Sequence, residues 1–531
     1  MQHKTDHLTQ AQNWHSLRQS LEAWPPQKWG AAGEILGRFL ALATTATARA
    51  TFYNTQAEQE QALNAAHEAL FAFDRGLYAL CLLLEGLTDY SRQLGIRNLA
   101  QQARGQGSGV LLDEHQEDAI VHLLFRDLPV QRVLNLFGML KAERVNNTRA
   151  RRMILLTLLN SPKLEYWAVK YRKKMRTALQ HAWGERTTGI LKSILSKPQE
   201  HHTEKERGIV QKNILKYVQK LEKQALVQEA LGFVLGNEEN LRLELPRAFV
   251  AAKQNIEAGY RLPYEVLEGI RSIYHPEIAS KKVLELTKAN LSKGQKMVLQ
   301  NKAEKESIVL DFDPNQYDAV RLYLYAFARG LSPEIKDALE QKAQQTAQLA
   351  GVRFQKIAVL VDASASMQGH KSQALRPMAI ALALRDVLAN LADNAVFVYS
   401  NEHDSRLYEL IRPEGATDLA PYYLQLLKEQ AEAIFILTDG YENAPAGRLG
   451  ELMYLARANG LGLPPTYQLT AVAAAEAEGL RSLSTLIPIL PLSRPEGLAS
   501  GLMAILLESH PQKGLAILLN MVLPKLTIGV E

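Results

Sequence analysis

After residue 352 short apolar runs begin to alternate with helical ones, and no other feature restricts the fold of this chain so tightly. The strand candidates are KIAVLVD (356–362), AVFVYS (395–400), AIFILTD (433–439), YQLTAV (467–472) and LIPILPL (486–492). Between them, 374–392, 418–430, 446–459 and 474–484 have the pattern of helices. Strands with no polar face, each followed by a helix, are what a parallel sheet covered on both sides requires. The region 351–531 therefore reads as a doubly wound α/β domain. In such domains ligands bind beyond the carboxyl ends of the strands, where the strand order reverses.

The preceding 350 residues show almost no period-two alternation. They show helical periodicity instead, as in EALFAFDRGLYALCLLLEGL (68–87) and RRMILLTLLNSP (151–162). Breaks fall at GQGSG (105–109), NSPK (160–163), SKPQEHH (196–202) and SIYHPE (272–277). The segments between breaks suit one or two helices each, which makes 1–350 an all-α array of helical hairpins, with 1–110 a candidate separate leading segment. The spacing suggests a HEAT-type solenoid, although no motif recurs at a fixed period.

A chain of 531 residues is too long for one hydrophobic core. Its single cysteine, Cys81, cannot form an internal disulfide, and the start MQHKTDHLTQ lacks the apolar stretch of a secretion signal, so a reducing cytoplasmic setting is expected. The most apolar window, LAILLNMVLPKLTIGV, is interrupted by Pro524 and Lys525. It reads as a packing helix followed by a short strand or tail, not a membrane span.

The strand ends carry the chemistry. IAVLVDASASMQG (357–369) leaves a buried run with Asp362, Ser364 and Ser366. The connection after 395–400 ends in GATD and presents Thr417, and the run 433–438 leads into TDGYEN and presents Asp439. All three loops lie on one edge of a parallel sheet, so the five side chains can converge. Two carboxylates and three hydroxyls, with no His or Cys, suit Mg2+, Mn2+ or Ca2+. Taken singly, Ser and Asp at strand ends are more often turn and cap residues. Their order along three successive strand ends is what favours a metal site. A hydrolase finds little support: Ser364 has no evident base, His370 and His403 are near only in sequence, and neither a nucleophile elbow nor a phosphate-binding glycine loop is present. No enzymatic activity is expected. The pair His201 and His202 lacks metal-type spacing and reads as solvated.

Charge is distributed unevenly. Residues 351–531 hold 14 Lys and Arg against 18 Asp and Glu, whereas the whole chain has a net charge of +5. Residues 141–197 hold 14 Lys and Arg against 3 Glu, interleaved with Tyr166, Trp167, Tyr171, His181 and Trp183. Cations beside aromatic planes fit single-stranded nucleic acid, the former for phosphate and the latter for base stacking. Arg149, Arg151, Arg152, Lys170, Arg172, Lys173, Lys174 and Arg176 are the candidate phosphate contacts. The competing reading makes the aromatics helix–helix core and the cations a solvated face. A second basic run, 281–302, has six Lys and one Glu and fits a helix pair.

The pattern D-x-S-x-S, then a distant T, then TDG at a strand end resembles the metal-ion-dependent adhesion site of von Willebrand factor A domains. The resemblance implies that Ser364, Ser366 and either Thr417 or Asp439 touch the ion directly, while Asp362 and the remaining member act partly through water. Ala365 stands where that motif usually has glycine. An all-α array ahead of such a domain is similar to the Ro autoantigen (TROVE) proteins. AVLVDASASM resembles that family's metal-site strand, with alanine between the serines, and SPEIKDALEQKAQQTAQLAGVRFQKIAVLVD resembles its junction. LPYEVLEGIRSI (262–273), with Ile270 and Arg271, is similar to one of its helices. The resemblance implies a ring of helical repeats whose basic hole accepts a single-stranded RNA end and whose outer surface grips small structured RNA. A second resemblance, to bacterial A domains that partner MoxR-type AAA+ ATPases, implies instead an adaptor whose metal grips a carboxylate of a protein partner, without RNA binding.

Overall fold

The computed structural model describes residues 17–45, 55–101, 112–369, 374–402, 405–471 and 481–528. Five strands form one sheet: β1 (Phe354–Val361), β2 (Ala392–Tyr399), β3 (Ala433–Thr438), β4 (Thr466–Ala471) and β5 (Ile489–Leu492). Their order is β2-β1-β3-β4-β5, and every neighbouring pair is parallel. Chain order reverses direction between β1 and β3, so the connections leaving these two strands diverge and open a crevice at their carboxyl ends.

The apolar runs explain the layering. All six residues of β3 are buried, as are the last five of β1. Ala358, Leu360, Ile434 and Ile436 pack on one face against Leu419, Tyr423, Leu426, Leu449 and Met453 from the helices Ala420–Leu427 and Arg448–Ala458. On the other face lies the helix Arg376–Asn390, buried continuously from Pro377 to Leu388. A helix buried all round needs partners for any charge it carries. Arg385 donates to Asp386 at 3.0 Å, and Tyr323 of the helix Ala319–Arg329 hydrogen-bonds to both residues.

The chain divides into two compact units. One comprises Met1–Ile96, Arg104–Asp127 and Pro314–Glu531, and the other Arg97–Ala103 and Leu128–Asp313. This differs from a division at residue 350, because early helices pack on late ones. The helix Pro26–Ala43 lies so close to Leu498–Ser509 that a Cβ on Gly33 would sit 2.5 Å from the Glu508 backbone nitrogen. The Ser493 hydroxyl donates to the Thr44 carbonyl at 2.6 Å, and the Ser500 hydroxyl to the Glu85 carbonyl at 2.9 Å. The second unit is helical throughout its regular elements, from Val130–Ala142 to Lys293–Lys305.

Several local expectations need correction. Residues 481–484 are not helical, while 474–480 lie outside the described residues. Buried Gln468 of β4 captures that stretch as extended chain: its amide nitrogen donates to the Arg481 carbonyl at 2.7 Å and its oxygen accepts from the Leu483 N–H at 2.9 Å. The C-terminal segment has no break at Pro524, since the helix runs Pro511–Ile528. Burial of Val522 and Leu526 on either side offsets the hydrogen bond a proline forfeits. His202 is not solvated; it is buried, with Nε2 2.9 Å from the Ile194 carbonyl. The break at 105–109, His370 and His403 lie outside the described residues. No helix among the described residues is long and apolar enough to cross a membrane.

Candidate metal centre and basic helices

Asp362, immediately after β1, is fully buried and both its oxygens are engaged. Oδ1 accepts from the Ser364 N–H at 3.0 Å and the Ser400 hydroxyl at 3.4 Å, and Oδ2 from the Thr438 hydroxyl at 2.8 Å. Ser364 and Ser366 bring their hydroxyl oxygens to 3.0 Å from each other, as alternate positions on one turn should. The Ala365 N–H donates to the Gly415 carbonyl at 3.0 Å, which draws the connection carrying Thr417 alongside this turn. Thr417 is 1% exposed, and its Oγ1 is a buried oxygen with no hydrogen-bond partner.

Asp439, after β3, completes the group. Burial pushes its carboxyl from the ordinary 3.8 up to about 6, and the neighbouring Asp362 adds to the rise. The Tyr441 N–H, at 3.1 Å, and the Ser366 hydroxyl work in the opposite direction. Burial likewise raises the Asp362 carboxyl, against the hydrogen bonds from Ser364, Thr438 and Ser400. Two buried carboxylates grouped with hydroxyl oxygens are the oxygen chemistry that a hard divalent cation takes. Among the described residues no cluster of three or more His, Cys, Asp or Glu suits a metal. The donor chemistry here differs because hydroxyls supply the majority.

All five strand-end residues therefore stand at the mouth of one sheet, on either side of the reversal between β1 and β3. Sequence reasoning missed Ser400 and Thr438, which hold Asp362 in place. Both have a signal: Ser400 directly follows β2, and Thr438 is the first residue of the TDG tripeptide.

The eight cations of the basic segment separate into two groups. Arg172 donates to the Phe233 carbonyl at 2.9 Å and to Glu238 at 2.7 Å, and its guanidinium lies 4.0 Å from the centre of the Phe233 ring. Arg176 donates to the Val234 carbonyl at 2.9 Å. Both thus satisfy the last carbonyls of the helix Gln224–Leu235, where the helix dipole favours positive charge. Burial works to raise the Glu238 carboxyl, but Lys253 and Arg172 overcome it and leave it below the ordinary value. Lys170 pairs with Glu265 at 3.3 Å and donates to the Tyr166 hydroxyl at 3.2 Å. Arg149 donates to the Leu99 carbonyl at 2.7 Å.

Arg151, Arg152, Lys173 and Lys174 are exposed on the helices Thr148–Leu159 and Arg172–Trp183, which pack together. Arg151 reaches Asn146 at 2.7 Å and Lys174 reaches Asn135 at 2.8 Å. Two of the aromatics are engaged within the fold. His181 is buried against the Val145 carbonyl at 2.8 Å, and the Trp183 indole donates to the Asn213 carbonyl at 3.1 Å. The run 281–302 does form a helix pair, with much of its charge paired, as in Lys282–Glu257 at 2.8 Å and Lys296–Asp311 at 3.4 Å.

The geometry defines an α/β domain with an all-oxygen site at its strand-order reversal, joined to a helical unit with a partly exposed basic segment. No protein-family model matches the chain, and no curated protein matches it. Among solved structures, the crystal structure of the Deinococcus radiodurans Ro (RSR) protein is similar over 88% of this chain and 99% of that chain, at 14% identity and a TM-score of 0.37.

Proposed function

We propose that this chain is a non-enzymatic RNA-binding protein that also holds Mg2+, or Mn2+ or Ca2+ in its place. The residues assigned to the ion's site are Asp362, Ser364, Ser366, Thr417 and Asp439, with Asp362 acting through water and through the other groups. The observation that carries the metal assignment is Thr417 Oγ1, a buried oxygen without a partner on a residue whose backbone is bonded by the loop that follows Asp439. Buried polar atoms are almost always satisfied, so an orphan oxygen on the connection that meets the Asp362 turn and the Asp439 loop favours a cation as its missing partner. With Asp362 spent on three protein donors, the hydroxyls and Asp439 are the groups left to contact it. An ion held largely by neutral oxygens keeps its appetite for one more anionic ligand, such as a partner's carboxylate.

The RNA assignment rests on the exposed Arg151, Arg152, Lys173 and Lys174 and on the likeness of AVLVDASASM and its upstream helix to the Ro family. Phosphate contacts from these four side chains favour single-stranded ends or small structured RNA, with little readout of base identity. Filter binding to a single-stranded oligoribonucleotide tests it. Binding is expected at about 50 mM salt and should fall steeply as salt rises. Absence of binding at low salt refutes it.

A second reading is favoured by the internal hydrogen bonds of Arg172, Arg176 and Lys170. Here the basic run is structural and the chain is a metal-dependent adaptor for a MoxR-type AAA+ ATPase. Co-purification of an ATPase, lost on chelation and in Asp362→Ala, supports that reading. Co-purification indifferent to both counts against it.

A further inference from the structure

The connection ending in Thr417 is fastened to the loop after β3 by groups that do not contact the ion. Asn443 Oδ1 accepts from the Thr417 N–H at 3.0 Å. The N–H groups of Asn443 and Ala444 donate to the Thr417 carbonyl at 3.2 and 3.0 Å. Both backbone groups of Thr417 are therefore bonded by the loop that carries Asp439. Glu442 secures the flanks: one oxygen accepts from the Leu419 N–H at 3.2 Å and the other from the Leu449 N–H at 2.9 Å. Those N–H groups open the helices Ala420–Leu427 and Arg448–Ala458, so one carboxylate caps two helix starts. Arg448 adds an ion pair to Asp418 at 2.7 Å.

We infer that Asn443 and Glu442 are positioning residues that lock Thr417 to the Asp439 loop, so that both donors reach the ion as one preformed unit. The inference rests on the metal assignment above. Thr417 comes at the end of a long connection from β2, with Gly415 in the left-handed region at φ +73°. Without the clasp its hydroxyl would have to be ordered at the moment of binding, and that entropy would be taken from the affinity. Partners that orient metal ligands are worth about ten- to a hundredfold in affinity in other sites. Asn443 is itself exposed, so its truncation leaves no cavity.

The test is Mn2+ titration of the full-length protein, followed by electron paramagnetic resonance. Asn443→Ala should weaken binding about tenfold. Asn443→Asp, which keeps the acceptor for the Thr417 N–H, should bind at least as well as the parent. The melting temperature of the chelated protein should move little in either variant. Equal affinity of Asn443→Ala and the parent overturns the inference. So does equal weakening in Asn443→Asp, because the acceptor is then not the reason. Failure of the parent itself to bind Mn2+ overturns the metal assignment, and the inference with it. Glu442→Gln provides a second reading of the same clasp. It keeps an acceptor for only one of the two helix starts, so an affinity unchanged from the parent also counts against the inference.

Discussion

Replacing Asp439 by Asn should stabilise the protein without metal and remove its response to metal. The ordinary value of 3.8 and the raised value of about 6 differ by an amount equivalent to about 3 kcal/mol. That is an upper figure for the cost of keeping this carboxylate ionised in the folded state at about pH 8. The sign follows from the raised folded value. The native state takes up the proton before the unfolded state does, so metal-free stability rises as pH falls from above 6 toward the ordinary value. Asn removes this charge and should make that arm of the profile shallower, leaving the share owed to other raised carboxyls such as Asp362. In the parent, Mg2+ at about a hundred times its dissociation constant should contribute about 2.7 kcal/mol if the proposed site holds it. The proposed coordination needs Asp439 ionised, so this increment should shrink as pH drops through about 6. The assay is denaturant unfolding from about pH 5 to 8, with chelator or with Mg2+, for parent and variant. Chelated Asp439→Asn no more stable than the parent at the upper pH, together with a preserved Mg2+ increment, would refute the reasoning.

Three further outcomes follow from particular contacts. Reversing charge at exposed Lys173 and Lys174 should cut RNA affinity at least tenfold with the melting temperature unchanged, whereas Arg172→Ala should cost about 1–2 kcal/mol by removing the donor to the Phe233 carbonyl and one of the two cations on Glu238; gel shift and thermal melting separate the two, and the reverse pattern defeats the assignment. Tyr323→Phe removes a buried donor to Asp386 and should destabilise by about 1–3 kcal/mol in urea unfolding, with no loss of metal affinity. Gly33→Val should cost about 1–3 kcal/mol, because its side chain meets the backbone of Leu507 and Glu508; calorimetry showing no loss would mean those helices do not approach so closely.

The grouping of the candidate site's residues was legible because they stand on or near strand ends. Apolar runs of strand length announce a parallel sheet, and such a sheet places every following polar residue on one edge. Asp362, Ser364, Ser366, Thr417 and Asp439 could therefore be grouped without coordinates. The residues that hold them could not. Ser400 and Asn443 resemble any strand-end serine and any turn asparagine until a partner 37 or 26 positions away is known. The basic segment shows the opposite weakness. Composition counts cations but does not say which face a neighbour, and Arg172 and Arg176 turned out to serve the carbonyls of a helix about sixty residues further on.

By itself, then, the sequence determined the elements and their class. Periodicity is a local property, and it separated helical chain from strand at residue 352, with residues 481–484 and the C-terminal segment as the exceptions. Tertiary structure decided what no local pattern encodes. It placed the helices before residue 96 with the α/β domain, through backbone contacts at Gly33 and Gly86 that depend on the absence of a side chain. It also made Gln468 an anchor for residues 481–483, where composition favoured a helix. In each case a partner remote in sequence supplied the energy, through a buried hydrogen bond or a close approach that only the folded chain brings within reach.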